Sequence, residues 1–244
     1  MCETGSRKMS RWCRARVLVV VLGGAAAVAS GCGSAGGQIG TVVSVAGVGI
    51  SKASVDHWMP IEAVLSNELV PTRPPPRGAV PDPPGYRACI SWLGSDGPLE
   101  SRSLSVAQRR ARCIQRLANL KQKTVEFLIL YQWYLGETRD QGIRVSESEV
   151  ERNLKRYIRY EMPGRGHFQR YLSAAGMSEA DALFVQRLST YGEKINHEIL
   201  AKPTPGLIRK AFVSFTSKWT TKTSCMPGYV FPGCRQYHGS LPPP

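Results

Sequence analysis

Cysteine has the most chemical options of any residue type in this chain, because a thiol can form a disulfide, accept a lipid or bind a metal ion. The 244 residues include seven cysteines, and the histidines are His57, His167, His197 and His238. No CxxC or HxxxH pair occurs to preorganise a tetrahedral site, so we predict no bound metal and no other cofactor. The use of the thiols then depends on the compartment in which the chain folds.

Motifs that carry catalysis are missing from the sequence. There is no GxSxG elbow, no P-loop, no GxGxxG opening a helix, no HExxH and no kinase signature. The histidines are scattered singly, and the pair His197-Glu198 is typical of a helix surface. Glu147 and Glu149 are typical of a helix N-terminus, where carboxylates offset the helix dipole. We therefore assign no catalytic residue.

The first 31 residues have the layout of an export signal. A basic stretch precedes an apolar run over residues 17–29, which is too short for a mature transmembrane helix. The run ends in Ala29-Ser30-Gly31-Cys32, which resembles the lipobox of bacterial lipoproteins. That resemblance implies a signal peptide over residues 1–31, lipidation of Cys32 and anchoring on the extracytoplasmic side of the cell membrane. A plain secretory signal with a coincidental cysteine is the alternative.

Composition and charge are those of a basic globular protein. Hydrophobic residues make up 42% of the chain and charged residues 20%, which excludes a disordered class. The formal net charge is +14. Removal of the signal leaves 27 basic and 17 acidic residues, a net charge of +10. An exported basic surface meets anionic lipid headgroups, anionic wall polymers or acidic clients, so we predict no nucleic-acid partner.

The remaining cysteines predict two disulfides. Cys2 and Cys13 leave with the signal and Cys32 would carry the lipid, so an even number is left. In an exported chain such a remainder indicates a disulfide framework. Three connectivities can be formed from the four cysteines, and local pairing closes the shortest loops, joining Cys89 to Cys113 and Cys225 to Cys234.

The hydrophobic periodicity predicts an all-α domain over residues 41–222 with a short β-like segment at its N-terminus. A Gly-rich flexible tether over residues 32–40 precedes it, a Pro-rich loop over 70–88 interrupts it, and a Pro/Gly-rich tail over 223–244 carries one cystine. Pro60 is expected to kink or reset the first helix. Helices are predicted to begin near residues 52, 105, 147, 167, 179 and 207.

The longest predicted helix, over residues 105–139, carries two groups of side chains that could bind a partner. Residues 125–135 are apolar almost all round and so require several packing partners. Their aromatic side chains are typical of a core, and they are also our candidates for binding a polypeptide client: Phe127, Tyr131, Trp133 and Tyr134. A basic surface nearer the start of the helix is typical of solvated side chains: Arg109, Arg110, Arg112 and Arg116.

Three blocks of the chain resemble SurA-like and PrsA-like foldases. They are VSVAGVGISKASVDHW at residues 43–58, GIRVSESEV at 142–150 and FQRYLSAAGMSEADALFVQRL at 168–188. The blocks keep the order of that family, and KWTTKTSCMPGYVFPGC at 218–234 looks like the cystine-bearing end of its actinobacterial lipoproteins. The resemblance implies a SurA N-terminal-like helical chaperone domain that binds unfolded or extended polypeptide segments.

The chain departs from that family at one place. Such foldases usually carry a parvulin-type prolyl isomerase domain before their last helix. Here Pro203-Thr204-Pro205 follows Leu200 almost directly, which leaves no room for it. We therefore predict a chaperone without isomerase catalysis. Two alternatives stay open: an envelope protein that binds an anionic wall polymer or a membrane partner, and an isomerase by family name only. The pattern makes no prediction of oligomeric state.

Overall fold

The computed structural model describes residues 40–65, 74–199 and 204–239, with only the backbone of residues 196–199 and 205. The predicted signal peptide, the lipidated Cys32 and the tether up to residue 39 lie outside the described residues. So do residues 70–73 of the Pro-rich loop and 240–244 of the tail. No helix in the described ranges combines the length and apolarity that a membrane crossing requires.

Within these ranges the chain forms eight helices and one three-stranded sheet, so the predicted mostly helical class is confirmed. The strands are β1 Thr41–Val45, β2 Val48–Ser51 and β3 Thr223–Cys225. The helices are α1 Lys52–Leu65, α2 Arg87–Ser95, α3 Leu99–Arg102, α4 Val106–Gln141, α5 Glu147–Glu161, α6 His167–Ala175, α7 Glu179–Ile199 and α8 Pro205–Thr221.

The β-like segment at the N-terminus is one part of a small antiparallel sheet with strand order β2-β1-β3. Ala46 and Gly47 both have positive φ, which suits the tight turn between β1 and β2. On its other edge β1 pairs with β3, with Val43 opposite Cys225. The start of the segment assigned to the tail therefore closes the sheet, and it ties the end of the described chain to its beginning.

Helix α4 is the axis of the fold. Its 36 residues correspond to a length of about 54 Å. Ser105 and Gln108 form a capping box at its start, and Gly142 ends it in the left-handed conformation. Residues 125–135 pass through the core, as their apolar pattern predicts, and they contact α1, α7, α8 and the sheet. Helix α1 packs beside α4 and continues past Pro60 to Leu65, so the predicted reset of the helix does not occur.

The last helix is held against α4 by large aromatic side chains. Phe215 lies 5.7 Å from the ring of Trp133 and 6.0 Å from that of Tyr134. Trp219 packs directly on Gly136, where a Cβ would overlap the indole ring. The Nε1–H of Trp219 donates to the buried carboxylate of Glu137, which also pairs with Lys218 at 2.7 Å. These contacts fix α8 on the core.

Both disulfides are present in the pairing that closes the shortest loops. Cys89–Cys113 joins α2 to α4, and Cys225–Cys234 joins β3 to the turn that follows it. Cys89 and Cys113 are fully buried with Leu93 in a small second core, apart from the main one. The main core, the sheet and both disulfides lie within residues 40–239, so a chain that begins at Gly33 contains the whole described fold.

Candidate functional site

Four aromatic side chains from three helices meet where α1, α4 and α7 pack together. Trp58 lies 5.0 Å from both Phe127 and Phe184, between ring centroids. Tyr131 stacks on Phe184 at 3.9 Å, and Phe127 lies 5.8 Å from Phe184. We call Trp58, Phe127, Tyr131 and Phe184 the aromatic cluster. Its offset and tilted geometries are those that aromatic rings prefer.

The aromatic cluster is buried on one side and open to solvent on the other. Trp58 and Tyr131 are buried in the main core, whereas Phe127 and Phe184 are half-buried. The two phenylalanine rings therefore present apolar surface that no described side chain covers completely. Apolar surface bordered by polar groups is typical of a place where another molecule packs.

Charged and polar side chains border this surface. His57 Nε2 lies 2.8 Å from Asp181 Oδ1, and the guanidinium of Arg187 lies 2.6 Å from the carboxylate of Glu147. Burial raises the pKa of the Asp181 carboxyl, but hydrogen bonds from Ser178 and His57 outweigh it and leave that pKa below its ordinary value. Burial raises the pKa of the Tyr131 hydroxyl, so the phenol stays neutral at physiological pH. The border thus combines hydrogen-bond donors with fixed charges.

The Ser178, Asp181 and His57 side chains do not form a catalytic triad. In a triad the imidazole lies between the hydroxyl and the carboxylate. Here the carboxylate occupies the middle position, since Asp181 Oδ2 accepts from Ser178 Oγ at 2.7 Å and Oδ1 contacts His57. Asp181 also caps α7 by accepting from the Ser178 N–H at 2.8 Å. The arrangement closes a helix end rather than activating a nucleophile.

The described side chains also form no metal-binding cluster. Among residues 40–65, 74–199 and 204–239, no group of three or more His, Cys, Asp or Glu side chains is placed to hold a metal ion. The four cysteines in these ranges are joined in disulfides. The candidate site offers apolar contact at Phe127 and Phe184 and hydrogen-bonding groups at its border.

The structure divides the four predicted client-binding residues into two pairs. Phe127 and Tyr131 belong to the aromatic cluster. Trp133 and Tyr134 are buried elsewhere: Trp133 Nε1 donates to Thr223 Oγ1 at 2.7 Å, and both rings pack against Phe215. Tyr134 has no exposed surface. In this conformation these two side chains hold α8 and β3 in place and present no surface to a client.

Sequence reasoning missed Trp58 and Phe184 as members of the site. The hydrophobic periodicity of their helices predicts only that each side chain lies on an apolar face. Their position in the blocks at residues 43–58 and 168–188 was the available signal. A stripe pattern shows which face of a helix is apolar, and the crossing of three helices decides which part of that face stays open.

A scan against protein-family models, a search of curated proteins and a search of solved structures each found no match to this chain. The protein is thus defined by its own architecture: a mostly helical domain, closed by a three-stranded sheet and two disulfides, with an aromatic cluster half open to solvent. The resemblance to SurA-like and PrsA-like foldases stays a prediction.

Proposed function

We propose that this protein is an extracytoplasmic chaperone-like protein that binds unfolded or extended polypeptide segments without isomerase catalysis. The observation that carries the proposal is the aromatic cluster, in which the partly buried Phe127 and Phe184 pack on the buried Trp58 and Tyr131. Unfolded chains expose apolar side chains that pack on such a surface, and rigid aromatic rings offer large contact area at low entropic cost.

The polar border of the aromatic cluster suits the backbone of such a polypeptide. An extended polypeptide carries backbone N–H and C=O groups that need hydrogen-bond partners when they leave water. The His57 side chain is about half exposed, and its neighbour Asp181 keeps a charged carboxylate at the edge of the cluster. Contacts to backbone groups do not depend on the client's sequence, which fits a binder of many different segments.

The sequence resemblance points to the same function. Two of the three foldase-like blocks contribute aromatic side chains to the cluster, Trp58 from the first and Phe184 from the last. The difference from those foldases supports the proposed absence of isomerase catalysis. The link between α7 and α8 spans only residues 200–204, so the chain has no place there for a parvulin domain.

The function is tested by the binding of a labelled, permanently unfolded polypeptide to the chain from Gly33, followed by fluorescence anisotropy at low and high salt. Apolar contacts are not screened by salt, so we expect the affinity to persist at high ionic strength. Affinity that disappears with added salt would contradict polypeptide binding through the aromatic cluster. Turnover in a prolyl isomerase assay would contradict the absence of catalysis.

The extracytoplasmic location rests on the lipobox-like sequence at Ala29 to Cys32. Lipidation of the Cys32 thiol would hold the domain at the outer face of the cell membrane. Substitution Cys32→Ser in the full chain is expected to move the protein from the membrane fraction to the soluble fraction. Ser34→Ala is the matched control, because it changes the neighbouring sequence and keeps the thiol. Detergent-dependent fractionation that is unchanged in Cys32→Ser would contradict the anchor.

A further inference from the structure

Residues 74–120 form a small basic module that projects from the aromatic cluster and the main core. The module contains the described part of the Pro-rich loop, α2, α3 and the first part of α4, joined by Cys89–Cys113. It carries seven arginines, three acidic residues and no lysine, a net charge of +4. We call these residues the stapled module.

Neutral groups hold three arginines of the stapled module in place, Arg109, Arg110 and Arg116. The guanidinium of Arg116 lies 4.8 Å from the ring centroid of Trp92 and donates to the carbonyl of Ala79 at 3.2 Å. Arg110 lies over Tyr86 at 5.7 Å and donates to the carbonyl of Pro84 at 3.3 Å. Aromatic rings and carbonyl oxygens orient a guanidinium without cancelling its charge.

Arg109 is held in the same manner. It donates to the carbonyl of Arg102 at 3.1 Å, and its guanidinium lies so close to Gly94 that a Cβ there would fall 2.3 Å from Nη1. No ion pair among the described residues involves Arg102, Arg109, Arg110, Arg112 or Arg116. The carboxylate of Asp82 accepts instead from the backbone N–H groups of Ala88 and Cys89, each at 3.0 Å.

The stapled module also exposes aliphatic side chains. Leu99 is 75% exposed, Val106 65% and Ile114 48%. Val106, Arg110 and Ile114 follow one another at intervals of four residues, so they share one face of α4. Exposed aliphatic side chains interleaved with arginine, next to tryptophan and tyrosine, are typical of a surface that lies at the interface of a bilayer.

The described chain begins at Gly40, eight residues after the proposed lipid anchor at Cys32. The carbonyl of Gly40 accepts from the Lys52 N–H at 2.7 Å. Eight residues from Cys32 to Gly40 span about 28 Å when extended. This proximity to the membrane rests on the anchor proposed above, whereas the charge and apolar surface of the module do not.

We propose that the α4 face of the stapled module that carries Val106, Arg110 and Ile114 docks on a bilayer rich in anionic phospholipid. The guanidinium groups bind headgroup phosphates, for which their planar geometry is suited, and the aliphatic side chains enter the headgroup region. The exposed aliphatic surface decides between partners, because a soluble anionic polymer would bind the charges and leave Leu99, Val106 and Ile114 in water. The docked module orients the domain on the membrane.

The test uses the chain from Gly33, which has no lipid anchor, and vesicles of phosphatidylcholine with or without phosphatidylglycerol. We expect binding only to vesicles that contain phosphatidylglycerol. The substitution Arg110→Glu is expected to weaken that binding by about thirtyfold, the effect of a change of two charge units near an anionic bilayer. The matched control is Arg159→Glu, which makes the same charge change on an exposed arginine of α5 that forms no ion pair among the described residues.

A second substitution tests the aliphatic contribution without changing the charge. Ile114→Ser is expected to weaken vesicle binding by about fivefold and to leave binding of soluble polyphosphate unchanged. Leu207→Ser on α8, 55% exposed, is its control. Equal losses in Arg110→Glu and Arg159→Glu would overturn the proposal, and so would binding to polyphosphate but not to vesicles. Since this chain is unanchored, failure here leaves the anchor and the polypeptide-binding function untouched.

Discussion

Replacing Trp219 by alanine is expected to lower the free energy of unfolding by about 4 kcal/mol, in the upper range for a large aromatic side chain in a core. The indole is 2% exposed and lies on Gly136, where no other side chain fills the space. Its removal leaves a cavity between α4 and α8. It also deprives the buried Glu137 carboxylate of the donor at Trp219 Nε1.

Thermal and urea unfolding followed by circular dichroism measure this effect, and a loss of about 4 kcal/mol corresponds to a fall in Tm of about 10 °C for a domain of this size. Tyr160→Ala is the control, because Tyr160 is 70% exposed on α5 and its loss should change stability by less than about 0.5 kcal/mol. A fall below about 1 kcal/mol for Trp219→Ala would show that α8 does not pack on the core as described.

Removing the disulfide of the stapled module is expected to open that module rather than the whole domain. The bond closes a loop with a sequence separation of 24, so Cys89→Ser with Cys113→Ser should make opening easier by about 3 kcal/mol. The small core of Cys89, Leu93 and Cys113 has little apolar surface to compensate. Because the main core does not include these residues, we expect the main core to stay folded.

Limited proteolysis with trypsin reads out this opening, since the module is rich in arginine. When opening is in rapid equilibrium, a change of about 3 kcal/mol raises the cleavage rate by about a hundredfold. Cys225→Ser with Cys234→Ser is the matched control, because it removes a disulfide of the β3 segment and should leave cleavage within residues 74–120 unchanged. Equal cleavage of the module in the wild type and the Cys89/Cys113 variant would contradict the prediction.

Much of the helical framework could be predicted from local patterns. The capping residues Ser105, Ser146 and Ser178 mark the starts of α4, α5 and α7, and Gly142 and Gly176 mark two ends. These signals are local, because a cap is satisfied by backbone groups within a few residues. Pro60 was expected to kink or reset the first helix; no reset occurs, and α1 continues past it to Leu65, packed along α4.

The sheet and the site could be predicted only in part because both depend on distant contacts. Strand β3 has three residues and no pattern of its own, and it exists because β1 offers a free edge. Likewise, the apolar run at residues 125–135 indicated burial but not which neighbour covers each ring. Phe127 meets Phe184 and stays half exposed, whereas Tyr134 meets Phe215 and is fully buried.

The arginines of α4 could also be predicted only in part. Their basic surface on α4 was evident from spacing, and solvation was the interpretation that spacing alone favoured. The neutral groups beside these arginines are Trp92 and Gly94 on α2 and Tyr86, which precedes α2. They adjoin α4 because the disulfide Cys89–Cys113 joins α2 to α4. The sequence pattern of one helix does not show whether an arginine lies beside a carboxylate or beside an aromatic ring.

The binding of an unfolded polypeptide by the aromatic cluster is the central claim, and Phe184 is the position that tests it most directly. The measurement compares the affinity of the labelled polypeptide at high salt for the wild type, Phe184→Ser, Phe184→Leu and Tyr160→Ser, with a thermal melt of each variant. We predict that Phe184→Ser loses about tenfold or more in affinity. Phe184→Leu and Tyr160→Ser should keep it. A folded Phe184→Ser variant with the affinity of the wild type would contradict the claim.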